Sequence, residues 1–147
     1  MGMFSGLDIA ASGLTAQRFR MDVVSSNIAN ADTTREKNVN GQWQPYARKV
    51  VNMNTINPSF ESVFQNSLGS AAGGVEVSSV TEDPAPFPVK YDPTNPDADA
   101  NGYVKQSNVD PLKEMVDLMD ANRSYEAGVT AINADKNMLS SALNIGK

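Results

Sequence analysis

The stretch Met115-Val-Asp-Leu118-Met-Asp-Ala-Asn122-Arg-Ser-Tyr125-Glu-Ala-Gly-Val129-Thr-Ala-Ile132-Asn-Ala-Asp-Lys136-Asn-Met-Leu139-Ser-Ser-Ala-Leu143 decides the fold. Its numbered positions alternate steps of three and four, the spacing that holds one face of a helix against a partner. Seven of the nine are apolar in a chain that is 40% hydrophobic, so about four would be expected by chance. The other end of the chain carries a matching stripe at Leu7, Ala11, Leu14, Arg18, Met21, Ser25 and Ile28. Arg18, Ser25, Asn122 and Lys136 interrupt the stripes. Such positions either lie on a solvated edge or choose register and partner.

Beside each stripe runs a second row: Ile9, Ser12, Ala16, Phe19 and Val23 at one end, and Ala131, Ala134, Met138 and Ala142 at the other. One partner helix covers one narrow seam. Two rows per helix therefore predict more neighbours than the chain itself supplies.

The N-terminal helix is expected from a Ser5 cap, with Asp8 in the first turn, to about Ala29, a length of roughly 35–40 Å. Asn27-Ile28-Ala29-Asn30-Ala31-Asp32-Thr33-Thr34 reads locally as a C-cap and turn. The C-terminal helix is expected to start with Asp110 as N-cap and Pro111 as first helical residue, and to stop at Gly146. Between the helices, Tyr46–Met53 and Gly74–Val80 read as strands, with Val75 and Val77 on one face. A small-residue linker near 66–74 separates them. The expected class is α+β: long terminal helices paired as a coiled-coil-like core, with a small irregular β-rich middle. The expected domains are 1–34 (helix and turn), 35–109 (outer segment) and 110–147 (helix).

Composition removes much chemistry. The 147 residues include no Cys and no His, so thiolate chemistry, the commonest general base and the commonest metal ligand are all missing. The net charge of −5 is uneven: residues 82–120 hold nine acids and three bases, residues 1–60 four acids and six bases. That asymmetry suits polar contacts between protein copies and offers no basic face for nucleic acid. No run reaches the roughly 18 apolar residues of a membrane span, and the first residues lack the form of a cleaved signal. Gly69, Gly73 and Gly74 lack the Lys-Ser/Thr of a phosphate loop, and the acidic pairs are read as solvated loop residues. Catalytic residues, small-molecule substrate and cofactor are accordingly all expected to be absent.

One alternative is a calcium-dependent binding module. Asp97-Ala98-Asp99-Ala100-Asn101-Gly102 resembles the start of an EF-hand loop. Its twelfth position is Asn108 rather than a bidentate Glu, and Pro93 and Pro96 exclude the entering helix. An acidic turn is the better reading of these residues.

Ser25-Ser26-Asn27-Ile28-Ala29-Asn30-Ala31-Asp32-Thr33-Thr34, following an amphipathic helix, resembles the signature of the bacterial flagellar rod and hook (axial) proteins. Tyr91-Asp92-Pro93, Gly102-Tyr103-Val104, Asn108-Val109-Asp110-Pro111 and Arg123-Ser124-Tyr125-Glu126 resemble its proximal rod members. The resemblance implies a structural rod subunit of the basal body, exported through the flagellum's own type III apparatus without a cleaved signal. It implies partners among copies of itself, other rod proteins, ring and rod-adaptor components and the export machinery. Asn27, Ala29, Asn30 and Thr33 carry the family turn, and the two stripes become the expected assembly interface.

Overall fold

The computed structural model describes residues 5–39, 42–56 and 73–145. The elements are helix α1 (Ser5–Ala29), strands β1 (Lys37–Val39), β2 (Gln42–Gln44), β3 (Lys49–Thr55), β4 (Val75–Glu82), β5 (Val89–Tyr91) and β6 (Tyr103–Lys105), and helix α2 (Pro111–Ile145). The class is α+β, with helices at the ends and short antiparallel strands between them. The strands form three separate two-stranded sheets, β1–β2, β3–β4 and β5–β6. The Ser5 side chain, Gly146 and the small-residue run up to Ala72 lie outside the described part.

Two compact units emerge. One comprises Met1–Met21, Asn52–Ser79 and Met119–Lys147; the other comprises Asp22–Val51 and Val80–Leu118. In the first, the early part of α1 lies antiparallel to α2. A Cβ added to Gly6 would lie 3.1 Å from Asp135, and one added to Gly128 would lie 2.8 Å from Leu14 Cδ2, so ascending α1 descends α2. Small residues permit this approach, and Ala16 and Ala121 are both buried. The Ile56 amide donates to the Gly74 carbonyl, and the Val75 amide donates to Ser12 Oγ. These bonds fix the β3–β4 ends beside α1.

In the second unit, β1 and β2 pair antiparallel with Asn38 opposite Trp43. All six strand side chains are exposed. The β5–β6 hairpin sets Tyr91 opposite Tyr103, with the rings edge to face at 5.3 Å. Its buried member is Val104. Gly102 closes this loop at φ 79°, a left-handed conformation that suits glycine. The cap of α2 is as expected: Asp110 Oδ1 accepts from the amides of Leu112 and Lys113.

Within one subunit the stripes divide into half-buried and exposed members. Leu7, Leu14, Met21 and Ile28 are half-buried, as are Leu118, Tyr125, Ile132 and Leu139. Ala11, Arg18 and Ser25 are exposed, and so are Met115, Asn122, Val129, Lys136 and Leu143. The inward rows instead alternate through Ala10, Gln17 and Val24 on α1, and through Glu114, Ala121, Gly128 and Asp135 on α2. Every second member is displaced by one residue, about 100° around the helix. The physical reason is that close backbone approach selects small side chains, and buried hydrogen bonding selects polar ones. A count of apolar residues sees neither.

Candidate functional site: a buried polar hub

The two largest fully buried side chains among the described residues are polar, Asn27 and Glu114. Both belong to the unit built from 22–51 and 80–118. Asn27 lies in the last turn of α1 and uses its whole amide. Its Nδ2 donates to Glu114 Oε2 at 2.9 Å and to the Lys49 carbonyl at 2.9 Å. Its Oδ1 accepts from the Tyr46 hydroxyl at 3.0 Å and from the Lys49 amide at 3.0 Å. Two donors and two acceptor sites are thus all satisfied, the condition for burying an amide without penalty.

Glu114 sits one turn into α2, where the helix dipole favours its charge. Its second oxygen accepts from Arg48 Nε at 2.6 Å. The rest of the Arg48 fork reaches Asp83 at 3.4 Å and Asp117 at 3.3 Å. Burial opposes the charge on Arg48. The hydrogen bond and charge of Glu114 outweigh it, aided by Asp83 and Asp117, and its guanidinium is held above its ordinary pKa. The Asp83 carboxyl is held below its usual range, first by the Ala85 amide and then by Arg48. Asn108 completes the frame: its Oδ1 accepts from the Arg48 amide at 2.7 Å, and its Nδ2 donates to the carbonyls of Asp83 and Ala85. The hub therefore draws on the end of α1, the entry to β3, the exit from β4 and the start of α2.

The remaining turn residues work around this hub. Asn30 is the helix stop, since its Nδ2 donates to the Ser26 carbonyl at 2.9 Å and its Oδ1 accepts from Thr33 Oγ1 at 3.3 Å. The Thr33 carbonyl accepts the Tyr46 amide, while Ala29 is exposed. Asn27 is thus not a cap residue, although the local sequence reads that way. Glu114, Arg48, Tyr46 and Asn108 were missed as members of the site. A Glu in a first helical turn and an Arg before a strand carry no sequence signal of mutual burial.

Asp97 of the acidic loop is engaged elsewhere. Thr34 Oγ1 donates to it at 2.6 Å and Arg35 forms an ion pair with it. These contacts, Thr34 first, hold its carboxyl below the usual range. Among the described residues no three acidic side chains converge as a metal cage would require, and nothing supports the calcium reading. A groove of about 260 Å³ lies beside this loop, lined by Trp43, Pro45, Pro96, Arg35, Asp97 and Lys105 among others.

Comparison with known proteins places both halves of the hub. Residues 7–35 match the family described as "Flagella basal body rod protein", and residues 100–145 match "Flagellar basal body rod FlgEFG protein C-terminal". The chain is 58% identical over 150 residues to the flagellar basal-body rod protein FlgC of Bacillus subtilis, with both proteins covered in full. The chain belongs to the FlgC family of flagellar basal-body rod proteins. It is also 43% identical to the FlgC of Salmonella typhimurium, again over the whole of both chains. It is 42% identical to that of Borreliella burgdorferi, over 99% of this chain and 98% of the relative. The family is one of structural rod subunits of the flagellar basal body. Asn27 lies in the N-terminal matched segment and Glu114 in the C-terminal one, so the Asn27–Glu114 bond joins the two family segments.

Proposed function

We propose that this rod subunit polymerises through the outward faces of its terminal helices. The observation that carries this reading is what helix pairing leaves uncovered. Met115, Val116, Met119 and Leu143 of α2 remain about half exposed or more, as does Leu112 at 75%. Ile9 and Phe19 on α1 are exposed to a lesser degree, 43% and 41%. Large apolar groups in rows on a helix are covered when neighbours of matching form arrive. Within the stripes, Leu7, Leu14, Met21, Ile28, Leu118, Tyr125, Ile132 and Leu139 are assigned to holding the subunit together. Ala11, Arg18, Met115, Asn122, Val129, Lys136 and Leu143 are assigned to neighbours.

A contact between unlike faces repeats without closing and builds a helical tube. Copies of this chain and other rod proteins are the proposed neighbours, with ring and rod-adaptor components at the ends of the proximal rod. Torque is then carried by many small contacts, with no catalytic step, cofactor, nucleic acid or small-molecule substrate. The subunit reaches the envelope through the type III export machinery without a cleaved signal. Leu143→Asp tests the reading because position 143 is exposed in the free subunit. The variant is expected to fold and be made at normal levels, yet to give no rods and no swimming. Normal motility would sink the proposal.

A further inference from the structure

Within the unit of 22–51 and 80–118, the stretch Asp83-Pro84-Ala85-Pro86-Phe87-Pro88 joins β4 to β5 without regular secondary structure. Each proline fixes its own φ at about −65° and pushes the residue before it out of the helical region, which makes the stretch an extended, polyproline-like ridge. The ridge is held from behind. Asn108 Nδ2 donates to the carbonyls of Asp83 and Ala85, and the Gln106 amide donates to the Pro88 carbonyl at 2.8 Å. Phe87 is half-buried, whereas Pro84, Ala85, Pro86 and Pro88 are exposed. Three of these four have no amide hydrogen, so the ridge cannot extend a sheet. It is an apolar surface already in the shape in which such segments are recognised.

The groove beside the acidic loop has the matching chemistry. At about 260 Å³ it falls below the roughly 300–1,000 Å³ of small-molecule sites. Trp43, Pro45 and Pro96 line it, and Trp43 is 53% exposed. Aromatic walls receive proline-rich ridges because flat rings stack on pyrrolidine rings and the ligand is ordered before it binds. Lys105 and Asp99 also line the groove, and both are exposed. The ridge is flanked by Glu82 on one side and Lys90 on the other, so its ends match these charges in one direction. Glu82 is ion-paired with Lys37, an exposed pair that exchanges at little cost. The ridge does not reach the groove of its own copy. None of residues 84–88 lines it; Pro84, Ala85 and Phe87 line a different hollow, with Lys37, Gln44 and Ala47. We therefore infer that the proline ridge of one subunit docks into the Trp43 groove of a second copy of this chain. The contact joins unlike faces and so repeats without closing. It lies on the middle segment and does not depend on the proposed helix contacts.

A capped synthetic peptide of residues 81–90 tests the docking when titrated into the full-length protein. Trp43 is the chain's only tryptophan and the peptide has none, so emission reports the groove directly. Docking should move that emission to shorter wavelength and saturate. Alanine in place of Pro86 and Pro88 in the peptide should weaken binding about tenfold, because both preorganisation and ring contact are lost. With a labelled peptide followed by anisotropy, Trp43→Ala in the protein should abolish binding. Lys105→Glu should weaken it about fivefold, and a peptide carrying Glu82→Lys should restore it. This charge exchange reads the groove without altering its walls. No saturable change with the native peptide up to about 1 mM would overturn the inference. Equal binding by the alanine peptide, or unchanged binding by the Trp43→Ala protein, would do the same. Tighter binding by plain oligoproline would assign the groove to a foreign proline-rich partner and equally overturn docking between copies.

Discussion

The two units are held by opposite means. The unit of 22–51 and 80–118 centres on Asn27, Glu114 and Arg48, polar groups with directional bonds and filled valences. The unit of 1–21, 52–79 and 119–147 centres on Ala16, Ala121 and Gly128, side chains chosen for what they lack. A polar hub tolerates one geometry, because any other leaves a buried charge or amide unpaired. Small-residue packing tolerates sliding and repacking, because dispersion contacts are numerous and individually weak. The difference sets a unit held to one geometry beside a unit whose packing can shift.

That contrast is open to attack at several points. Glu114→Ala should have the largest effect, about 3–5 kcal/mol of destabilisation by denaturant titration, because it leaves Arg48 Nε and one Asn27 amide hydrogen without their partner in a buried site. Glu114→Gln keeps the shape and the bond from Asn27, and is expected to lose clearly less. Equal losses would show that the charge alone, and neither the shape nor the bond from Asn27, carries the hub. Next, Gly128→Val should cost about 2 kcal/mol by overpacking against Leu14. Gly128→Ala should be nearly neutral, since the tip of Leu14 can swing aside and alanine returns about 1 kcal/mol of helix propensity. A large loss for alanine would mean that this unit is as rigid as the hub.

Asp110→Ala removes the cap of α2 and should cost about 1 kcal/mol, read as a lower melting temperature. The smallest effect concerns acid. The folded pKa values of Asp83 and Asp97 lie below their unfolded values, so their stabilisation is complete above about pH 4. It is lost as pH falls through the folded values. Asp97→Asn should flatten the acid limb of a melting-temperature profile slightly, and Asp83→Asn likewise. A profile flattened at alkaline pH would reverse that sign and refute the assignment.

Much of this fold was legible in the chain. The span of α1, the Asp110 cap and Pro111 start of α2, and the half-buried Val75 and Val77 all agree with local rules of periodicity, capping and alternation. The β1–β2 hairpin was missed, although Asn40-Gly41 between two short runs is a hairpin signal in the sequence. Strand β3 begins at Lys49 rather than Tyr46, because Tyr46 and Ala47 are buried beside the hub and leave the ladder. The choice of inward rows within the subunit has a similar origin. Tyr125 and Ile132 announce themselves as apolar, whereas Gly128 and Glu114 earn their inward positions only from what stands opposite.

By itself the sequence determined two long terminal helices, a β-rich middle and, through the Asn-Ile-Ala-Asn turn, kinship with the flagellar rod proteins. Those features follow from interactions between residues a few positions apart, which a linear pattern records. Only the tertiary structure decided that Asn27 is a hub rather than a cap, that Glu114 and Arg48 meet it, and which row of each helix turns inward. Those outcomes depend on groups up to 87 residues apart meeting out of water, and burial is a property of neighbours that no single stretch of chain contains.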